Sequence, residues 1–225
     1  MCGRFAQRSD PKRLAKEFKV AEVPQVEARY NVAPTQEILA VRELGDGREM
    51  TFFKWGLIPS WAKDTSMGAR LINARSETVE EKPSFREAFK QRRCLIPADG
   101  FYEWQRTGGK KQPFFFRMRD ECPFGFAGLW ERWEGAGGQA INSCTILTTE
   151  ANEVLRPVHD RMPVILHPDD YPLWLDGNER ERVLLGELLR PYPAEEMIGY
   201  PVSTLVNSPG NKGSGLSEEA PLNSA

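Results

Sequence analysis

The sequence predicts an α+β domain built on a curved, mostly antiparallel β-sheet, barrel-like in its core, with short helices at its periphery. Three observations lead there. Short runs rich in β-branched and aromatic residues recur along the chain, glycine-containing turn signals separate them, and segments with helical periodicity are few and brief.

Taken in order, Ser9-Asp10-Pro11 followed by Leu14, Ala15 and Phe18 predicts a capped amphipathic helix with proline in its first turn. Arg29-Tyr30-Asn31-Val32-Ala33-Pro34 reads as turn-like, because the residue before a proline is pushed out of the helical region. Residues 38–41, the turn Gly45-Asp46-Gly47 and residues 50–58 make an antiparallel pair. Pro59-Ser60-Trp61 leads into a polar loop over 63–70, a candidate substrate rim. Residues 71–75 read as extended, and Phe85, Ala88 and Phe89 mark the inward face of a short helix. Residues 94–106 and 112–119 form the clearest hairpin, since Gly108-Gly109 permits the positive φ angles of a tight turn. Strands follow at 124–133 and 144–149, a short helix at 151–157, a strand at 162–166, helices at 171–175 and 182–189, and a last strand at 200–204. From Asn207 the chain is rich in Gly, Ser, Pro and Asn. One domain over 1–206 and a disordered tail over 207–225 are therefore expected.

Composition narrows the function classes. Apolar residues make up 40% of the 225 residues, and no apolar run approaches the roughly 20 residues that cross a bilayer. The N-terminus shows no apolar h-region with a cleavage site, so neither secretion nor a membrane is expected, and a cytoplasmic protein is. Cys2, Cys94, Cys122 and Cys144 are too sparse for a disulfide scaffold and are expected to be reduced. No CxxC or HExxH occurs and the histidines are His159 and His167, so neither a metal site nor a cofactor is expected. The formal net charge of -2 does not suit bulk electrostatic binding of duplex DNA. Its distribution is uneven: residues 168–225 carry ten acidic and four basic side chains, net -6, leaving +4 on residues 1–167.

The chemistry-bearing residues lie in that positive part. Removal of Met1 would leave Cys2 with a free α-amine and a thiol on adjacent carbons. The amine adds to an aldehyde to give an imine, and the thiol can close on the imine carbon as a five-membered ring, an intramolecular step with a large effective molarity. The alternative is an ordinary cysteine on a frayed end. Glu103 sits in Phe101-Tyr102-Glu103-Trp104, where alternation sets Phe101, Glu103 and Gln105 on one face. If that face lines a cleft, the carboxyl would hold its proton and serve as general acid and base; otherwise it is a solvated strand glutamate. Asn73 either orients a sugar or an imine or closes a turn. His159, between a helix and Asp160-Arg161, either protonates a ring oxygen or leaving group or is an exposed loop histidine. Arg4, Arg70, Arg75 and Arg161 lie near these four in sequence and suit phosphates, or else are solvated surface charges. Pro34 and Trp61 could wedge or stack where a base would sit.

Six motifs occur together in order: Met-Cys-Gly-Arg-Phe at the start, Tyr30-Asn-Val-Ala-Pro34, Trp55-Gly-Leu-Ile-Pro-Ser-Trp61, Asn73-Ala-Arg75-Ser-Glu-Thr, Cys94-Leu-Ile-Pro-Ala-Asp-Gly-Phe-Tyr-Glu-Trp104 and His159-Asp-Arg-Met-Pro163. In them the chain resembles the SOS-response-associated peptidase (SRAP) family, over residues 1 to about 210. The resemblance implies an SRAP-like fold and covalent capture of abasic sites in single-stranded DNA through the amine and thiol of Cys2. By the same resemblance Asn73 positions the deoxyribose, Glu103 moves protons and His159 assists ring opening. It puts DNA contacts on Arg4, Arg75 and Arg161, with Pro34 and Trp61 near the strand and Arg70 beside them. It also implies a peptidase-like removal of the residue before Cys2, a monomer and association with the nucleoid when DNA is bound. Two other readings stay open: an N-terminal-nucleophile cysteine amidohydrolase, and a non-catalytic reader of modified cytosine.

Overall fold

A computed structural model describes residues 2–45, 47–178 and 182–222. Its strands are β1 (Phe5–Gln7), β2 (Arg29–Val32), β3 (Glu37–Leu44), β4 (Gly47–Trp55), β5 (Asn73–Arg75), β6 (Arg93–Ala98), β7 (Gly100–Thr107), β8 (Lys110–Met118), β9 (Phe124–Glu134), β10 (Ala140–Glu150), β11 (Arg161–Pro163), β12 (Ile165–Leu166) and β13 (Met197–Pro201). Its helices are α1 (Pro11–Phe18), α2 (Arg86–Gln91), α3 (Tyr171–Leu175) and α4 (Arg182–Glu187). One sheet runs β13-β8-β7-β1-β2. In the other, β10-β4-β3-β6-β9 closes on itself because β9 and β10 pair as a long hairpin, giving a five-stranded barrel with β5, β11 and β12 added. Pairing is antiparallel except where β10 meets β4 and β5. The fold is therefore α+β on a curved, mostly antiparallel barrel, and among the described residues no helix is long and apolar enough to cross a membrane.

Local chemistry explains the elements that formed where expected. The Asp10 side chain accepts from the Arg13 amide at 3.0 Å and caps α1, Pro11 begins the helix, and Lys19 ends it in the left-handed region. Its buried face, Leu14 and Phe18, packs under the barrel, where Phe18 stacks on Tyr171 with ring centroids 5.6 Å apart. At the β7–β8 turn Gly108 and Gly109 have φ of 58° and 80°, the two positive angles of a tight hairpin turn.

The expected strand over 94–106 is instead two strands, β6 in the barrel and β7 in the other sheet. The chain changes sheet at Asp99, whose carboxylate accepts from the amides of Arg8 at 2.6 Å and Ser9 at 3.0 Å and from the Ser9 hydroxyl. Gly100 allows the turn, since a Cβ there would lie 2.2 Å from the Phe115 ring. The turn-like stretch 29–34 begins as β2. The helix expected over 151–157 is a set of turns over 153–158: the Asn152 side chain caps the first turn by accepting from the Leu155 amide at 3.1 Å, but Pro157 has no amide N–H with which to continue a helical ladder. The strand expected over 162–166 divides into β11, paired with β10, and β12, paired with β9. The segment from Asn207, expected to be disordered, packs as far as Ala220, whose amide donates to the Pro201 carbonyl at 2.9 Å. Leu216 is buried with Ala6, Tyr102, Phe115, Val202 and Val206, and Asn31 donates to the carbonyls of Ser208 and Asn211 at 3.0 and 3.1 Å. A single buried leucine, worth about 1.5–3 kcal/mol, is invisible to a compositional argument. Residues 223–225 lie outside the described residues.

Two apolar clusters organise the interior. One lies beneath the helices and includes Leu39, Leu95, Leu129, Phe89 and Trp174. There the guanidinium of buried Arg93 donates to the carbonyls of Trp174 (2.7 Å), Phe89 (2.6 Å), Lys90 (2.9 Å) and Asp176, closing the ends of α2 and α3 together. The other joins the two sheets: Phe5 meets Trp55 and Phe126 edge-on at 5.1 and 5.7 Å, with Phe101, Phe116 and Ile146 around them. Cys2 belongs to this second cluster.

Candidate active site

The site forms where the amino-terminal strand joins the two sheets. β1 pairs with β7 so that Phe5 lies opposite Phe101, and the Tyr102 amide donates to the Arg4 carbonyl at 2.9 Å, carrying the pairing toward Cys2. Cys2 is fully buried. From the barrel side, β5 pairs in parallel with β10, Asn73 opposite Ile146, and the Asn73 Nδ2 donates to the Cys2 carbonyl at 2.9 Å. The strand alternation holds: Phe101 faces the cluster containing Cys2, Tyr102 faces the smaller cluster around Leu216, and Glu103 is 3% exposed. His159 follows the turns after β10, and Gln105 of β7 donates to the Pro157 carbonyl of that loop at 3.1 Å.

Electrostatics differentiates these groups. Burial pushes the Glu103 carboxyl up to about 7, with the positive amino terminus of the chain pulling it back. Burial, with Glu103 nearby, raises the Cys2 thiol well above the ordinary thiol range, so it is held as the neutral thiol. His159 is lowered by burial and by the same positive terminus. Its Nδ1 lies 2.9 Å from both the Arg161 amide, toward which it must accept, and an Asp160 carboxylate oxygen, to which only an Nδ1–H could donate. Asp160 is highly exposed and screened, so the amide decides: Nδ1 accepts, and the remaining proton sits on Nε2. The site thus holds a neutral thiol, a carboxyl poised near neutrality and a neutral imidazole.

Three buried polar atoms in residues around this corner have no hydrogen-bond partner among the described residues: Asn73 Oδ1, Arg4 Nε and Arg161 Nε. Buried polar groups are otherwise almost always paired.

The arginines separate into two kinds. Arg4 donates to Asn31 Oδ1 at 2.7 Å and to the Val206 carbonyl at 2.8 Å, and lies over the Trp104 ring at 5.9 Å, so it braces the carboxy-terminal segment against β1. Arg161 grips Glu77 with both Nη atoms and donates to the Thr148 carbonyl at 2.6 Å. Arg70 and Arg75 are exposed, at the end of a short 3-10 turn and on β5. Trp61 is 59% exposed, and Pro34 is half-buried in the turn after β2. The structure therefore brings Cys2, Asn73, Glu103 and His159 to one corner with Arg4 and Arg161 beside them. Arg70, Arg75, Trp61 and Pro34 are left on more open surface. Sequence reasoning gave no role to Glu77 and Thr148, the partners of Arg161; Glu77 lies in a short 3-10 turn after β5, and its contact with Arg161 spans 84 residues, so no local pattern signals it. Among the described residues no group of three His, Cys, Asp or Glu side chains is arranged to hold a metal ion.

A two-sheet α+β domain that buries an amino-terminal cysteine among an amide, a carboxyl and an imidazole defines a narrow class of protein. The family model "SOS response associated peptidase (SRAP)" matches residues 1–209, and the chain belongs to that family. It is 44% identical to the abasic site processing protein YoqW of Bacillus subtilis over 97% of this chain and 99% of that protein. It is 32% identical to YedK of Escherichia coli, also named an abasic site processing protein, over 96% and 98%. It is 37% identical to chicken HMCES over 73% of this chain and 55% of that protein. Among solved structures, a crystal structure of a Bacteroides thetaiotaomicron protein superimposes with a TM-score of 0.87 at 26% identity, covering 97% of this chain and all of that one.

Proposed function

We propose that this protein captures abasic sites in single-stranded DNA as a covalent thiazolidine through Cys2, after removal of Met1. The observation that carries the reading is the burial of Cys2 beside Glu103, with Asn73 holding its carbonyl. The names of its relatives support the DNA-processing class.

The state of each group sets the order of events. With the thiol neutral, the α-amine freed on Cys2 is the first nucleophile. Its lone pair attacks the C1′ aldehyde of the ring-opened deoxyribose; the nitrogen loses a proton and the oxygen gains one, giving a carbinolamine. Loss of water then gives the imine. Glu103, poised near 7, can take the amine proton and return it to the departing hydroxyl. The thiol then adds to the imine carbon: the C–S bond forms, and the thiol proton passes by way of Glu103 to the ring nitrogen. The Nε2–H of neutral His159 suits donation to the sugar ring oxygen as the ring opens. Asn73 Oδ1, buried and unpartnered among the described residues, suits a sugar hydroxyl. Single strands are favoured, because a flexible backbone presents its sugar without unstacking a duplex. Removal of Met1 is assigned to the same corner, with Glu103 as the proton carrier.

The test is denaturing electrophoresis with uracil-containing single-stranded DNA treated with uracil-DNA glycosylase. A heat-stable shifted band is expected with the wild type and none with Cys2→Ala. A wild type that gives no such band refutes the reading, and turnover of an amide without retained DNA would point to an amidohydrolase instead.

A further inference from the structure

The Glu77–Arg161 pair offers an inference about how the site treats strands that carry no lesion. Arg161 is tied to the reactive corner through its own backbone, since its amide fixes the His159 ring at 2.9 Å. Its guanidinium is the cation nearest that ring in sequence, yet it is not offered freely to a phosphate. Nη1 and Nη2 lie on the two oxygens of Glu77, Nη2 also reaches the Thr148 carbonyl at 2.6 Å, and only Nε lacks a partner among the described residues. The Arg161 side chain is 14% exposed and that of Glu77 46%, so the carboxylate stands on the solvent side of the pair. Hydrogen bonding from Arg161 holds Glu77 below the usual carboxylate range, and Arg75 acts in the same direction. The anion therefore persists across the neutral range and lies in the field of two candidate phosphate contacts.

We propose that Glu77 is a specificity-determining residue that suppresses binding of undamaged single-stranded DNA by neutralising Arg161 beside the His159 corner. A phosphate reaching Arg161 must displace one carboxylate oxygen and remain near the other, so an intact strand gains little at this position. A strand that is then captured covalently does not depend on that weak contact. The inference rests on the reading that the site accepts single-stranded DNA, but not on the covalent step.

The experiment measures fluorescence anisotropy of a labelled undamaged oligothymidine, which has no aldehyde, against the processed full-length protein over a series of salt concentrations. Relative to wild type, Glu77→Gln is expected to bind about 3–10-fold more tightly at 0.1 M salt. Its log K against log salt slope should steepen by about 0.7, the signature of one further phosphate neutralised on a single strand. Glu77→Asp, which keeps the charge, should stay near wild type, and adding Arg161→Gln to Glu77→Gln should remove the gain. Unchanged or weaker binding by Glu77→Gln with an unaltered salt slope overturns the proposal. If Glu77→Gln folds poorly by circular dichroism, Glu77→Ala is read by the same two criteria. A wild type that makes no covalent band on abasic DNA would sink the capture mechanism while leaving this non-covalent comparison intact.

Discussion

Two buried corners of this molecule treat their polar groups in opposite ways. Beneath the helices, Arg93 is buried and its guanidinium meets four backbone carbonyls that α2 and α3 would otherwise leave open. At the amino-terminal corner, Asn73 Oδ1 and Arg161 Nε are buried with no partner among the described residues, and Glu103 is held far from its ordinary ionisation. A saturated polar group contributes to folding; an unsaturated one lowers stability and is left able to bind something else. The first corner should therefore govern stability and the second chemistry.

The largest effect expected is at the first corner. Arg93→Ala leaves those carbonyls unmet in the interior and should cost about 3–5 kcal/mol, lowering Tm by roughly 10 °C or more. Thermal denaturation checks this, and a loss under 1 kcal/mol would erase the contrast between the corners. Glu103→Gln sharpens it from the other side. The unfolded carboxyl ionises near 4.5 and the folded one near 7, so the folded state binds the extra proton between those values and stability falls as pH rises through that window. Glutamine has no charge to bury, so the variant should be more stable than wild type by on the order of 2–3 kcal/mol at pH 8 and equal to it at pH 4. Its crosslinking rate should nevertheless fall by about 10²-fold or more. Denaturant melts at the two pH values, with crosslinking time courses, decide it. The smallest change in stability is expected for Asn73→Ala, which loses one hydrogen bond to the Cys2 carbonyl, about 1 kcal/mol, while removing an unsatisfied oxygen. Crosslinking should slow about tenfold or more at nearly constant Tm; the reverse pattern would make Asn73 a structural residue.

How much of this was legible in the sequence follows from the range of the interactions. Helix α1 was readable because its signals, the Asp10 cap, Pro11 and the Leu14–Phe18 face, lie within nine residues. The β7–β8 turn was readable from Gly108-Gly109 for the same reason. The change of sheet at Asp99 was not, because its hydrogen-bond partners Arg8 and Ser9 are about ninety residues away. Nor was the packed carboxy-terminal segment, whose anchor Leu216 sits among polar residues and finds its pocket only across the β1–β7–β8 sheet. For the site, the resemblance named Cys2, Asn73, Glu103 and His159 as one set, and these four lie at one corner of the structure. The resemblance could not separate the arginines, because whether a guanidinium is committed depends on a carboxylate or carbonyl elsewhere in the chain, as Glu77 is for Arg161 and Val206 for Arg4.

The pairing of Phe5 with Phe101 turns the short link Gly3-Arg4 into a measured spacer. Because one extended residue spans about 3.3–3.6 Å, lengthening that link by a single residue would carry Cys2 past its partners. The same insertion among residues 136–139, at the exposed tip of the β9–β10 hairpin, would change nothing of consequence. The amino-terminal end of this protein is in that sense a ruler, and its expected tolerance is less than the length of one amino acid.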